Sequence, residues 1–124
     1  MDLHLLGLNH KTAPVEVREK VAITSGHLPE ALKYYHNQYN GYGAILLSTC
    51  NRTEIYTTNP NFGDAIRFLE DYFMIRETEI DKYIYRYSGS KAFEHLIKVA
   101  CGLDSMIVGE GQVLGQVKTA WQSA

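Results

Sequence analysis

Ala44-Ile45-Leu46-Leu47-Ser48-Thr49-Cys50-Asn51-Arg52-Thr53-Glu54-Ile55-Tyr56-Thr57-Thr58 is the stretch from which the fold is read. A short apolar run, Ala44–Ser48, ends at a segment dense in hydrogen-bonding side chains. Thr53–Thr58 then resumes with β-branched and aromatic residues. That pattern predicts two strands joined by a tight connection at Asn51-Arg52. The same segment places one of only two cysteines beside a guanidinium. Free cysteine is ordinarily a small, inert core residue, and it becomes a nucleophile where a nearby cation stabilises the thiolate. Cys50 is therefore a candidate nucleophile, with the packing role as its plain alternative.

Working outward, residues 2–9 read as a first strand that is largely apolar on both faces. Pro14 suits the first position of a helix over 15–20. A second helix is predicted over 27–38, with Pro29 near its start and Leu28, Ala31, Leu32 and Tyr35 at three-to-four spacing. Asn59-Pro60-Asn61 stops the strand after the tight connection. Ala65, Ile66, Leu69, Tyr72 and Phe73 then mark an amphipathic helix over 62–75. Tyr83, Tyr85 and Tyr87 alternate with Ile84 and Arg86 as a fourth strand, followed by helices near 90–101 and 111–123. This order predicts an α+β fold: a ferredoxin-like split β-α-β sandwich, with an antiparallel sheet, helices packed on one face and extra C-terminal helices. The helical pattern is still running at Trp121-Gln122-Ser123-Ala124 without a stop signal, as expected of a piece of a longer polypeptide.

With 124 residues, 45% of them hydrophobic and 21% charged, the chain makes one globular domain rather than a disordered tail. A net charge of −2 excludes a nonspecific nucleic-acid coat, although a shaped cleft that docks a small part of an RNA remains open. Met1-Asp2-Leu3-His4 enters a strand pattern without a basic leader, and no apolar stretch approaches the ~18 residues of a membrane span. With sparse cysteine, these features lead us to expect a reducing, cytoplasmic setting and no membrane. His4, His10, His27 and His36 show no ligand spacing with either cysteine, so no metal is predicted.

A helical wheel at about 100° per residue from Ala92 sets Phe93, Leu96, Ile97 and Ala100 between about 40° and 140°, the buried stripe. Lys91, Glu94 and Lys98 fall between about 200° and 260°, and His95 near 300°, at the edge of the polar arc. His95 faces either solvent or a cleft beside the helix. In a cleft with Cys50 it is a candidate acid/base group. Met106–Gly115 leads an apolar triplet into a Gly-rich turn, but its third glycine arrives one residue late for a dinucleotide fingerprint. The segment reads instead as a helix-starting turn, or as a polar loop in which Ser105, Glu110, Gln112 and Gln116 meet a small polar ligand.

Three separated motifs in order resemble the N-terminal catalytic domain of glutamyl-tRNA reductase. They are Gly7-Leu8-Asn9-His10-Lys11-Thr12-Ala13-Pro14, Ser48–Tyr56, and Gly102–Glu110 with Gln112 and Gly115-Gln116-Val117. The resemblance covers essentially the whole of 1–124 and implies an oxidoreductase of tetrapyrrole synthesis. Cys50 would attack the ester that joins glutamate to the tRNA 3′ acceptor end. The resulting thioester would be reduced by NADPH to glutamate-1-semialdehyde. His95 would polarise the ester or assist proton transfer, and Arg52 would hold the substrate carboxylate. Thr49, Asn51, Ser105, Glu110, Gly111, Gln112 and Gln116 would line the glutamate pocket, Gly111 standing where Pro or Asp is expected in many relatives. The NADPH-binding and dimerisation domains of the family would lie outside these residues. That implies a homodimer only for the full-length enzyme, a monomer for this chain, and activity limited to thioester formation and ester hydrolysis. The full enzyme would also admit glutamate-1-semialdehyde aminomutase as a partner. Two other readings stand beside this one: an RNA- or partner-binding module with a structural or redox-sensing Cys50, and an unrelated Cys/His hydrolase.

Overall fold

The computed structural model describes residues 2–100 and, as backbone, 107–109. The elements run β1 (His4–Asn9), α1 (Val15–Lys20), α2 (Leu28–Gln38), β2 (Ala44–Thr49), β3 (Arg52–Thr57), α3 (Phe62–Phe73), β4 (Tyr85–Ser88), α4 (Ser90–Ala100) and β5 (Ile107–Gly109), with single 3₁₀ turns at Ser25–His27, Glu77–Glu79 and Asp81–Tyr83. The strands form one sheet in the order β4-β1-β3-β2-β5, every neighbouring pair antiparallel. The β4-β1-β3-β2 part is the predicted split arrangement. β3 lies between β1 and β2, and β1 lies between β3 and β4.

Local deviations have local causes. Pro14 caps α1 from extended backbone rather than opening it, since the residue already sits at ψ 166°. Tyr83 belongs to a 3₁₀ turn, which shortens the fourth strand to Tyr85–Ser88. Ile107–Gly109, read from sequence as the end of an apolar triplet leading into a Gly-rich turn, pairs with Leu47–Ile45 as a fifth strand. The predicted helix over 111–123 lies outside the described residues.

The sheet is covered on both faces, which corrects the expectation of helices on one. Leu6, Leu8, Leu46 and Ile55 pack with Val17 of α1, Ala31 and Tyr35 of α2, and Phe68 and Leu69 of α3. On the other face Leu3, Leu5, Ile45 and Tyr56 pack with Ala92 and Leu96 of α4. The reason lies in β1 and β2, which are buried residue after residue rather than alternately. A one-sided sandwich would leave Leu5 and Ile45 in water at a cost of about 1.5–3 kcal/mol each. Gly89 makes the crossing. It has φ +66°, its N–H donates to the Leu3 carbonyl, and its carbonyl accepts from Phe93 N–H in the first turn of α4. A left-handed residue is cheap only as glycine, and this one turns the chain from β4 onto the second face.

Candidate active site

The register Thr49↔Arg52 leaves Cys50 and Asn51 as a two-residue turn, so the tight connection lies one residue earlier than the sequence suggested. Asn51 N–H donates to Thr49 Oγ1 at 3.1 Å, a local bond of the kind that lets Thr stand in for backbone in a turn. Beneath it, the cross-strand pair Ser48 and Thr53 is buried. Ser48 Oγ accepts from Ile23 N–H at 3.0 Å, Thr53 Oγ1 donates to the Val21 carbonyl at 3.0 Å, and the two hydroxyls meet at 3.1 Å. The hairpin tip is thus tied to the segment after α1, and Cys50 is held at its end, unpaired and exposed.

Period-two alternation sends Arg52, Glu54 and Tyr56 to the α4 face. Glu54 is fully buried there. Its Oε1 accepts from Tyr56 O–H at 2.6 Å. Its Oε2 accepts from His95 Nε2 at 2.7 Å, from Arg52 Nη1 at 3.3 Å and from Tyr85 O–H. A buried carboxylate is tolerated only when paired and hydrogen-bonded, and four donors satisfy that demand. Burial first, and then the adjacent Glu54 carboxylate, push the Tyr56 and Tyr85 phenols far up, which keeps both as O–H donors.

Gly7, the register partner of Glu54, makes room for it. A Cβ at Gly7 would stand 2.7 Å from Glu54 Cγ and 2.9 Å from the Thr53 carbonyl oxygen.

Above Glu54 opens a cleft of about 500 Å³. The hairpin contributes Thr49, Asn51 and Arg52; β4 contributes Tyr85 and Tyr87; α4 contributes His95 and Lys98; and the loop after β1 contributes Asn9, His10 and Lys11. That loop is self-supporting. The Asn9 side chain accepts from Lys11 N–H at 2.9 Å and Thr12 N–H at 3.2 Å, and Asn9 N–H donates to Thr12 Oγ1 at 3.0 Å. His95 therefore faces the cleft, with the Tyr85 and Tyr87 rings 5.6 and 5.7 Å from its own.

Of the residues singled out from sequence, Thr49, Asn51, Arg52 and His95 come together. Cys50 sits at the outer edge of the same hairpin and does not itself line the cleft. Ser105, Glu110, Gly111, Gln112 and Gln116 lie outside the described residues. Sequence reasoning passed over Glu54, Tyr56 and Tyr85. The signal for Glu54 was present, a lone carboxylate within a strand whose neighbours in both directions are apolar or β-branched. Among the described residues no group of three or more His, Cys, Asp or Glu is arranged to hold a metal. Among the described residues the strands pair antiparallel and do not form the parallel βαβ unit of the doubly wound dinucleotide-binding fold. No described helix is long and apolar enough to cross a membrane.

Comparison with known proteins places this geometry. The family described as glutamyl-tRNAGlu reductase, N-terminal domain, matches residues 6–124. Glutamyl-tRNA reductase of Shewanella halifaxensis is 42% identical over 124 residues, all of this chain and 30% of that protein. The enzyme of Pseudoalteromonas translucida is 45% identical over 126 residues with the same shares. Among solved structures, glutamyl-tRNA reductase from Methanopyrus kandleri superposes with a TM-score of 0.52 at 34% identity, covering 97% of this chain and 27% of that one. The chain thus spans about a third or less of the length of the relatives it matches. On motif order, fold and full-length similarity together, this chain belongs to the glutamyl-tRNA reductase family, as its N-terminal domain.

Proposed function

We propose that this domain performs the acyl-transfer half of glutamyl-tRNA reduction, taking glutamate from the tRNA 3′ end onto Cys50. The observation that carries the reading is the meeting of Arg52 and His95 in one cleft, beside a hairpin tip that presents an exposed, unpaired thiol. Cys50 Sγ attacks the ester carbonyl carbon, the carbon–oxygen bond to the ribose breaks, and a thioester forms. The thiol proton leaves with the ribose oxygen, and His95 is the group suited to carry it.

Arg52 spends one guanidinium nitrogen on Glu54 and keeps further N–H donors for the substrate carboxylate. Thr49 and Asn51 border the glutamate side chain, and Ser105, Glu110, Gly111, Gln112 and Gln116 complete the pocket in this reading. Lys11, Lys98 and the exposed Tyr87 rim the cleft, a combination suited to the phosphates and unstacked bases of a single-stranded 3′ end. The reductive half of the family's reaction is not assigned to these residues.

The test is a single-turnover labelling. Incubated with glutamyl-tRNA radiolabelled in the glutamate and quenched in acid, the chain should carry a covalent label that thiol or hydroxylamine removes and that Cys50→Ser abolishes. A label that persists in Cys50→Ser, or no label at all, refutes the assignment.

A further inference from the structure

We propose that Glu54 is a positioning residue which fixes the His95 imidazole with Nε2 turned inward, so that Nδ1 is the nitrogen offered to the cleft. What Nδ1 then does there rests on the acyl-transfer reading above; the orientation itself does not.

The geometry carries the orientation. A histidine at the edge of a helix's polar arc is free to choose among staggered side-chain rotamers. Here one ring nitrogen is committed, because Nε2 lies 2.7 Å from Glu54 Oε2. The partner cannot yield, since Glu54 is fully buried in the centre of the sheet. Its other oxygen is anchored by Tyr56 O–H, also fully buried, at 2.6 Å. Tyr85 O–H and Arg52 Nη1 hold Oε2 from two further directions. Gly7 leaves the space the carboxylate occupies. The imidazole is partly exposed and lines the cleft beside the stacked Tyr85 and Tyr87 rings, so the edge not committed to Glu54 is the one left for it.

A carboxylate only accepts hydrogen bonds, so in the neutral imidazole the proton sits on Nε2 and Nδ1 keeps its lone pair. Whichever nitrogen is not tied by a neighbouring acceptor is the one available for chemistry. Glu54 decides that choice without touching substrate. The same carboxylate holds Arg52, so one buried group orients both the proton-handling side chain and the candidate binder of the substrate carboxylate.

Long-range ¹H–¹⁵N NMR of the imidazoles in the whole chain tests this, with His95 assigned by His95→Asn. The wild type should show the tautomer protonated at Nε2. Glu54→Gln, nearly isosteric, should show a mixture of tautomers in a protein whose amide dispersion remains that of the folded state. In the labelling reaction above its acylation rate should fall by roughly 10²-fold. The tRNA concentration giving half the maximal rate should rise as well if Arg52 is released, and less than the rate falls.

A wild-type His95 protonated at Nδ1 overturns the proposal, and so does a folded Glu54→Gln with unchanged tautomer and rate. If Glu54→Gln does not fold, the wild-type tautomer decides. Tyr85→Phe, which removes one donor from the same oxygen, is then expected to lower the acylation rate severalfold, and an unchanged rate counts against positioning. Failure of the wild type to acylate refutes the acyl-transfer reading, while the tautomer still tests the role of Glu54 independently.

Discussion

Alanine at Gly7 is the most searching single perturbation of this fold, because its consequence follows from three interatomic distances. The added methyl carbon would lie 2.7 Å from Glu54 Cγ, 2.9 Å from the Thr53 carbonyl oxygen and 3.2 Å from Glu54 Cα. Two of these three atoms belong to backbone paired with β1, and a side-chain shift alone does not relieve them. Overpacking of a dense interior costs about 1–3 kcal/mol. Displacing Glu54 from its donors adds up to about 1.5–3 kcal/mol, the worth of a hydrogen bond to a charged group. Against this, alanine lowers the entropy of the unfolded chain by only about 0.4–1 kcal/mol. The net loss is about 3 kcal/mol, or roughly a 12 °C fall in Tm for a domain of this size. Thermal melts followed by circular dichroism, with urea titrations at 25 °C for the free energy, measure it. Gly26→Ala is the control, since a Cβ there meets nothing within 4 Å; it should leave Tm unchanged or slightly higher. If Gly7→Ala melts within about 2 °C of wild type, the close approach of β1 to Glu54 is not what the distances imply.

Tyr56→Phe removes the Oε1 donor and should cost about 1.5–3 kcal/mol near neutral pH by urea denaturation. Burial holds the Tyr56 phenol protonated far above its ordinary 10.0, so its contribution is complete below pH 10 and is lost as pH rises further, at about 1.4 kcal/mol per pH unit. Tyr56→Phe should flatten the alkaline limb of the stability curve by that slope, and an unchanged limb would contradict the burial. Ser48→Ala and Thr53→Val should each lose about 1–3 kcal/mol. The double variant should lose at least about 0.5 kcal/mol less than their sum, because both cut one network; strict additivity would show the tie to Val21 and Ile23 is not shared. Cys50→Ser should change stability by less than about 0.5 kcal/mol. In the folded protein Cys50 should alkylate with iodoacetamide without prior unfolding, and a thiol that reacts only in denaturant would contradict its exposure.

Much of the fold was legible because it is written locally. Asn61 caps α3 through a side-chain bond to Gly63 N–H, and the stripe of Ala65, Ile66 and Leu69 is buried, as spacing predicts. The hairpin announced itself by β-branched residues on one side and an apolar run on the other. The second face of the sheet was less visible. Unbroken burial in β1 and β2 appears in sequence as apolar runs, and such runs do not say which helix covers which side. The site divided the same way. Arg52 and Cys50 stood out by adjacency in sequence, whereas Glu54 gave only the anomaly of a carboxylate within a strand.

Sequence by itself determined the elements from β1 to α4 and the candidate nucleophile, since each depends on residues within one turn or one strand of each other. The order of those elements and of three motifs along the chain carried the split β-α-β plan and the family. Tertiary structure alone decided that α4 crosses to the opposite face of the sheet, bringing His95 to a carboxylate 41 positions away. It also decided that Tyr85 and Arg52 share that carboxylate, and that Gly7 is glycine on its account. The physical reason is that a buried charge is stable only among several donors at once. Those donors come from β3, β4 and α4, which meet only when the sheet is closed and both its faces are covered.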